Sequence, residues 1–171
     1  VVVDVLPTPA ISLYQLYVRA ACAFVLTASH NPTGQNGIKI FLGHSNLKLF
    51  PEDDKRLTRR CLSIDFQELR NASLLGELRN DMLAARKLFL EFMADQTNHW
   101  LSDNSLVGVT IIVDAANGAF SPIITELLKN VAADFVITNS VPAQGINRHS
   151  GVADLEGVEF ISAKQITEGT F

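Results

Sequence analysis

Ser29 stands in the string Thr27-Ala28-Ser29-His30-Asn31-Pro32, and ten residues beyond it Lys39 ends a second one, Asn36-Gly37-Ile38-Lys39. A serine on a tight loop directly after a buried strand lies at the carboxyl edge of the sheet, where open α/β folds bind their ligands. Backbone N–H groups in such a turn can face an anion. A hydroxyl alone is a weak nucleophile, and no Ser-His-Asp arrangement is recognisable around Ser29. His30 follows Ser29 directly, so the two side chains tend to diverge; ordering of the turn competes evenly with direct chemistry at the imidazole. Lys39, at the start of the next strand, can reach back across the same edge towards a phosphate or a hydroxyl, in an electrostatic or an acid–base role. The competing account of Lys39 is an ordinary solvated lysine at a strand start.

These residues need a scaffold, and the apolar pattern describes one. Ala23 to Leu26 is a continuous apolar run, the pattern of a strand covered on both faces in a parallel sheet. The turn-rich loop from Thr27 to Gly37 follows, and Ile38 to Leu42 resumes as a strand. Ahead of them, Val1 to Val5 reads as a short strand, Pro7 and Pro9 interrupt it, and the apolar positions from Ile11 to Val18 predict a helix. Pro51 with Glu52, Asp53 and Asp54 marks a helix start, giving a helix from Glu52 to about Leu62. Asp81 is placed to cap a long helix from Met82 to Trp100, with one buried stripe that includes Trp100.

A fresh strand at Val109 to Val113, a turn at Ala115 to Gly118, a helix from about Ser121 to Val131 and a strand at Phe135 to Thr138 read as the opening of a βαβ unit. Asp114 closes a strand ahead of Asn117-Gly118, so a carboxylate that stabilises the turn is the expected role, ahead of metal ligation. After Asn139 the chain is loop-like to Gly151, and Asp154 to Ile166 carries a weaker helical pattern. Arg148 and His149 read as solvated loop residues, and His44 and His99 show no partner pattern.

Composition narrows the function classes. Hydrophobic residues make up 47% and charged residues 19%, which argues for a packed core and against disorder. A net charge of −4 with scattered basic residues leaves no footprint for nucleic acid or an anionic membrane, so a small-molecule partner is expected. Cys22 and Cys61 have no metal-ligand spacing, Cys22 reads as buried, and a reducing cytoplasm fits both. No apolar stretch approaches the roughly 20 residues that span a bilayer.

The serine string together with Asn36-Gly37-Ile38-Lys39 resembles the phosphoserine signature of the α-D-phosphohexomutases, the family of phosphoglucomutase, phosphomannomutase and phosphoglucosamine mutase. Leu6-Pro7-Thr8-Pro9-Ala10 is similar to the segment preceding the active-site serine in that family. Val113-Asp114-Ala115-Ala116-Asn117-Gly118-Ala119 is similar to the opening strand and turn of its second domain, and the loop around Ile146-Asn147-Arg148 loosely resembles an Asn-Ile-Asn segment. The resemblance implies two consecutive α/β domains with mainly parallel sheets, both incomplete: residues 1–104 with the serine loop, and 105–171, joined near Asp103 to Gly108.

It further implies a phosphoserine enzyme. Phosphorylated Ser29 would donate to a hexose 1- or 6-phosphate, a bound hexose 1,6-bisphosphate would reorient, and the other phosphate would return to Ser29. The resemblance assigns catalysis to Ser29, Lys39 and His30, with Lys39 in general acid–base work. It assigns substrate binding to Thr27 and Asn31, and a Mg2+ ligand to the Ser29 oxygen. Thr27 at the head of the motif hints at the glucose and mannose group of substrates.

The family's metal loop, Asp-Gly-Asp-x-Asp-Arg, has no counterpart in the 171 residues, and neither have its sugar-recognition and phosphate-clamping loops. The expectation is therefore a piece of a longer cytoplasmic enzyme, inactive alone, with most Mg2+ ligands elsewhere. The alternative is a non-catalytic phosphosugar-binding or structural paralogue. A serine hydrolase ranks below both for want of a base and its orienting partner.

Overall fold

The computed structural model describes residues 1–27, 29–31, 34–43, 47–71, 76–101, 106–129, 131 and 134–151. Its elements run α1 (Thr8–Tyr17), β1 (Cys22–Leu26), β2 (Ile38–Leu42), β3 (Leu47–Lys48), α2 (Pro51–Leu62), α3 (Phe66–Arg70), α4 (Met82–Trp100), β4 (Thr110–Asp114), α5 (Ile124–Lys129) and β5 (Asp134–Thr138). The mixed α/β class matches the sequence reading. The expected helix from Asp154 to Ile166 lies outside the described residues, as do residues 103–105 of the junction from Asp103 to Gly108.

The first sheet corrects the expectation of mainly parallel strands. β1 pairs antiparallel with β2, Val25 opposite Lys39 and Leu26 opposite Ile38, and β2 pairs antiparallel with β3. The reason is the connection: the serine loop joins β1 to β2 with no helix among its described residues. A parallel return needs a crossover of about a dozen residues or more, usually helical.

The expected two-sided cover of β1 is also corrected. Alternation along a strand sends Val25 and Phe41 to one face, where they are buried with Leu6, Ala10, Ile11 and Tyr14 and with Ala85 and Phe89 of α4. Phe24, Leu26 and Ile38 fall on the other face and are 61%, 71% and 63% exposed. A run of apolar residues looks the same in sequence whether one face is covered or both.

Pro7 and Pro9 do not precede the first helix; they open it. Pro7 occupies the N-cap of α1 and Pro9 its first turn, where a missing N–H costs nothing. Val1 to Val5 is not a strand: within it only Val2 makes a bridge, to Asn80. α1 is tied to the sheet by Gln15, 2% exposed, whose Nε2 donates to the carbonyl oxygens of Phe41 (3.4 Å) and Gly43 (3.2 Å).

α2 starts at Pro51 with an acidic first turn and a basic last one, as its macrodipole favours. At the head of α4 the expected cap is replaced by a neighbour. Asn80 Oδ1 accepts from the Met82 amide at 3.0 Å, while the Asp81 carboxylate accepts from the Tyr14 hydroxyl at 2.7 Å and from Arg79 Nε at 3.0 Å. The Tyr14 and Arg79 hydrogen bonds hold the Asp81 carboxyl below its ordinary range. Burial, followed by the Asp81 hydrogen bond, pushes the Tyr14 phenol up. Ala85 and Phe89 form the buried stripe of α4, but Trp100 is 78% exposed, with the His99 ring edge-on to it, against the expectation that it packs. Cys22 is half-buried, not buried.

β4 and β5 are parallel and in register from Thr110 opposite Asp134 to Asp114 opposite Thr138, with α5 between them in the chain. Ile123, 1% exposed, joins the same buried cluster as Phe89, and Arg86 of α4 forms an ion pair with Glu126 of α5. No helix among the described residues is long and apolar enough to cross a membrane.

Candidate functional site

The serine loop begins where the β1–β2 ladder ends. Beyond Leu26 and Ile38 one more backbone bond forms, from the Thr27 amide to the Gly37 carbonyl at 2.9 Å, and it closes the neck of the loop. Glycine at position 37 follows from this: a Cβ there would stand 3.1 Å from the Thr27 carbonyl oxygen, at the contact the neck requires. Inside the loop, Thr27 Oγ1 accepts from the Ser29 amide at 3.0 Å, a local turn in which a hydroxyl replaces a backbone acceptor. Asn31 Nδ2 donates to Gln35 Oε1 at 2.9 Å, and Asn36 Oδ1 accepts from the Gly37 amide at 2.9 Å.

Ser29 has φ of 57°, in the left-handed region that few non-glycine residues occupy. Such a conformation persists where surrounding contacts over-determine it, and it is common at functional sites. Ser29 is exposed, and its hydroxyl makes no hydrogen bond to the described residues. His30 and Asn31 are exposed beside it, and Thr27 is half-buried at the neck.

Lys39 lies opposite Val25 in the register, one residue into β2, and is half-buried. Its ammonium forms no ion pair among the described residues. The fold therefore brings Thr27, Ser29, His30 and Asn31 into one loop and places Lys39 in the strand leaving it.

A second cluster of loops meets the first. The Asp114 carboxylate, at the end of β4, accepts from three donors: the Ala116 amide (2.8 Å) and Asn139 Nδ2 (3.1 Å) at Oδ1, and the Gly151 amide (2.9 Å) at Oδ2. This is the turn-stabilising role expected for it. Asn117, 2% exposed, accepts from the Val141 amide at 2.9 Å and donates to the Gly145 carbonyl at 3.1 Å. Together they fix the segment from Gly145 to Gly151. From that segment Asn147 Nδ2 donates to the Ser29 carbonyl at 3.0 Å and the Asn31 carbonyl at 3.3 Å. Sequence reasoning noticed Asn147 only as part of a loose motif. The available signals were its motif and the Gly145-Ile146-Asn147 turn chemistry, which favours a left-handed asparagine.

Magnesium takes a near-octahedral shell of oxygens, commonly with one or two carboxylates. Among the described residues no group of three or more His, Cys, Asp or Glu side chains is placed to hold a metal, and the Asp114 carboxylate is already occupied by its donors. Ser29 supplies one oxygen. The described residues do not fit a magnesium cage.

Residues 1–68 match the family model for phosphoglucomutase/phosphomannomutase, alpha/beta/alpha domain I. The chain is 34% identical over 158 residues to a phosphoglucosamine mutase of Syntrophomonas wolfei, covering 91% of this chain and 34% of that protein. It is 32% identical over 158 residues to phosphoglucosamine mutase 2 of Shewanella frigidimarina, covering 90% of this chain and 34% of the relative. A phosphoglucosamine mutase of Rhodococcus jostii is likewise 32% identical over 158 residues, with 92% and 34% covered. These matches support the phosphohexomutase family for this chain. It spans about a third of the length of the curated relatives it matches, 34% in each of these three.

Proposed function

We propose that this chain is the serine-loop portion of a phosphohexomutase that moves a phosphoryl group between the 1- and 6-positions of a hexose phosphate, with Ser29 as the carrier. The observation that supports it most is the Ser29 loop: a left-handed serine on the carboxyl end of a strand, its backbone held and its hydroxyl presented to solvent. The family match supports phosphoryl transfer as the chemistry such a loop performs.

In the forward half-reaction the P–Oγ bond of phospho-Ser29 breaks as a sugar hydroxyl oxygen bonds to phosphorus. The hydroxyl proton is released and the departing serine oxygen takes one up. Lys39 is the group proposed to move that proton, and its cationic form also offsets charge on the phosphoryl oxygens. The hexose 1,6-bisphosphate then presents its other phosphate, which returns to Ser29 by the reverse exchange, so the net reaction is an isomerisation. Thr27 and Asn31 are proposed to shape the loop and contact substrate, and His30 to flank the phosphoryl group.

The relatives are named phosphoglucosamine mutases, and this favours a glucosamine phosphate over the glucose and mannose substrates at which Thr27 hints. The division into 1–104 and 105–171, Mg2+ as the family's cation with the rest of its ligands supplied from elsewhere, and a cytoplasmic setting belong to the same proposal. Free Cys22 and Cys61 are consistent with that setting.

The test is phosphoryl exchange between hexose 1,6-bisphosphate and hexose monophosphate in the longest natural form of the protein. Ser29→Ala is expected to abolish exchange while leaving the fold intact. Near-normal turnover by that variant, with contaminating mutase excluded, removes Ser29 from this role.

A further inference from the structure

The geometry points to Asn147 as a positioning residue for Ser29: its side-chain amide fastens the serine loop to the loops beyond β4 and β5, and so sets the direction of the Ser29 hydroxyl. The inference rests on the proposed role of Ser29 and extends it to a residue 118 positions away in the chain.

A serine in the left-handed region costs on the order of 1 kcal/mol or more relative to ordinary backbone, so an exposed loop needs outside contacts to keep it there. The Thr27 hydroxyl holds the Ser29 amide on one side. On the other side the donor comes from Asn147, whose two amide hydrogens suit two carbonyl acceptors, Ser29 at 3.0 Å and Asn31 at 3.3 Å. Both carbonyls flank His30, so the amide bridges the turn that carries the hydroxyl and blocks rotation of the Ser29–His30 peptide.

Asn147 can do this because its own position is fixed. Its amide donates to the Ala116 carbonyl at 2.9 Å, and Gly151 a turn later donates to Asp114 Oδ2. Asn147 itself has φ of 58°, a conformation that asparagine tolerates better than most residues. Its side chain thus projects from a braced loop onto the serine loop, which is closed at its neck by the Thr27–Gly37 backbone bond. The arrangement carries rigidity from one sheet's loops to the other's.

Asn147→Asp and Asn147→Gly both accept the left-handed backbone and both delete the donor; the aspartate also sets a carboxylate against two carbonyl oxygens. In this chain, labelled with carbon-13 and nitrogen-15, the Ser29 and Asn31 carbonyl resonances are expected to shift in both variants, and amide exchange at residues 29–31 to accelerate at least about tenfold. Carbonyl resonances within β1 and β5 should stay in place. In the longest natural form, kcat for phosphoryl exchange should fall on the order of 10- to 100-fold, as for a small misplacement of a reacting group, with KM changed less than about threefold.

Unmoved Ser29 and Asn31 carbonyls in both variants, or a full kcat beside moved carbonyls, would overturn the inference. A protein with no exchange activity before substitution would sink the proposed function instead, and the carbonyl signals would still decide whether Asn147 holds the loop. Should the aspartate variant unfold, the glycine variant carries the same decision.

Discussion

Ser29 and Asp114 occupy similar places, Ser29 just past the carboxyl end of β1 and Asp114 at that of β4, and the structure uses them in opposite ways. Asp114 has both oxygens of its carboxylate engaged within the fold, by the Ala116 and Gly151 amides and by Asn139. Ser29 has its backbone held on both sides and its side chain left to solvent. A reactive-looking group whose atoms accept several hydrogen bonds from the surrounding loops is a strut. One whose backbone is restrained while its side chain is spared is placed to meet something else. The difference separates scaffold from chemistry more sharply than residue type does, since a carboxylate is the more usual catalyst.

The comparison breaks if substitutions at the two positions act alike. Ser29→Ala should remove phosphoryl exchange entirely yet leave the melting temperature within about 2 °C, because no folded contact of the hydroxyl is lost. Asp114→Ala should do the reverse to the fold, destabilising by about 1–2 kcal/mol through the orphaned amides. A thermal melt of both variants decides it, and equal shifts would erase the distinction.

Gly151→Ala sharpens the same contrast, because a Cβ at φ of +70° would stand 2.7 Å from Ala116 Cβ. The strain should cost about 1–2 kcal/mol, read as a lower denaturation midpoint, and should leave the serine loop's own hydrogen bonds in place. A neutral result would mean that the loops past β4 relax easily and cannot brace Asn147.

The smallest effect expected is one of pH, at a second carboxylate. Because the folded Asp81 carboxyl titrates below its ordinary range, its contribution is present above the unfolded value of about 4 and is lost as pH falls through the lower folded value. The stability gap between wild type and Asp81→Asn should therefore narrow below about pH 4, and Tyr14→Phe should shrink it at neutral pH. Denaturation curves at pH 7 and pH 3 measure both, and a gap that widens in acid would reverse the sign.

Much of this was legible from sequence, for reasons that also explain the rest. Ile38 to Leu42 was readable as a strand because glycine bounds it and its apolar run is short; Pro51 announced α2, and Asn117-Gly118 announced the Asp114 turn. The direction of β2 was not readable, because apolar runs look alike in parallel and antiparallel pairs. Trp100 looked like core from its type, yet it ends a helix whose buried stripe lies at Ala85 and Phe89. Motif likeness singled out Ser29 and Lys39 as candidates. Asn147 stayed hidden because its partners are 116 and 118 residues away, a proximity no local pattern encodes.

The central claim is that Ser29 carries the phosphoryl group, and peptide mapping after exposure to a hexose 1,6-bisphosphate tests it most directly. The longest natural form should take up one phosphate on the tryptic peptide containing Ser29, and release it to added hexose monophosphate. Conversion of hexose phosphates with no phosphate on Ser29, or with the label on another residue, would contradict the account.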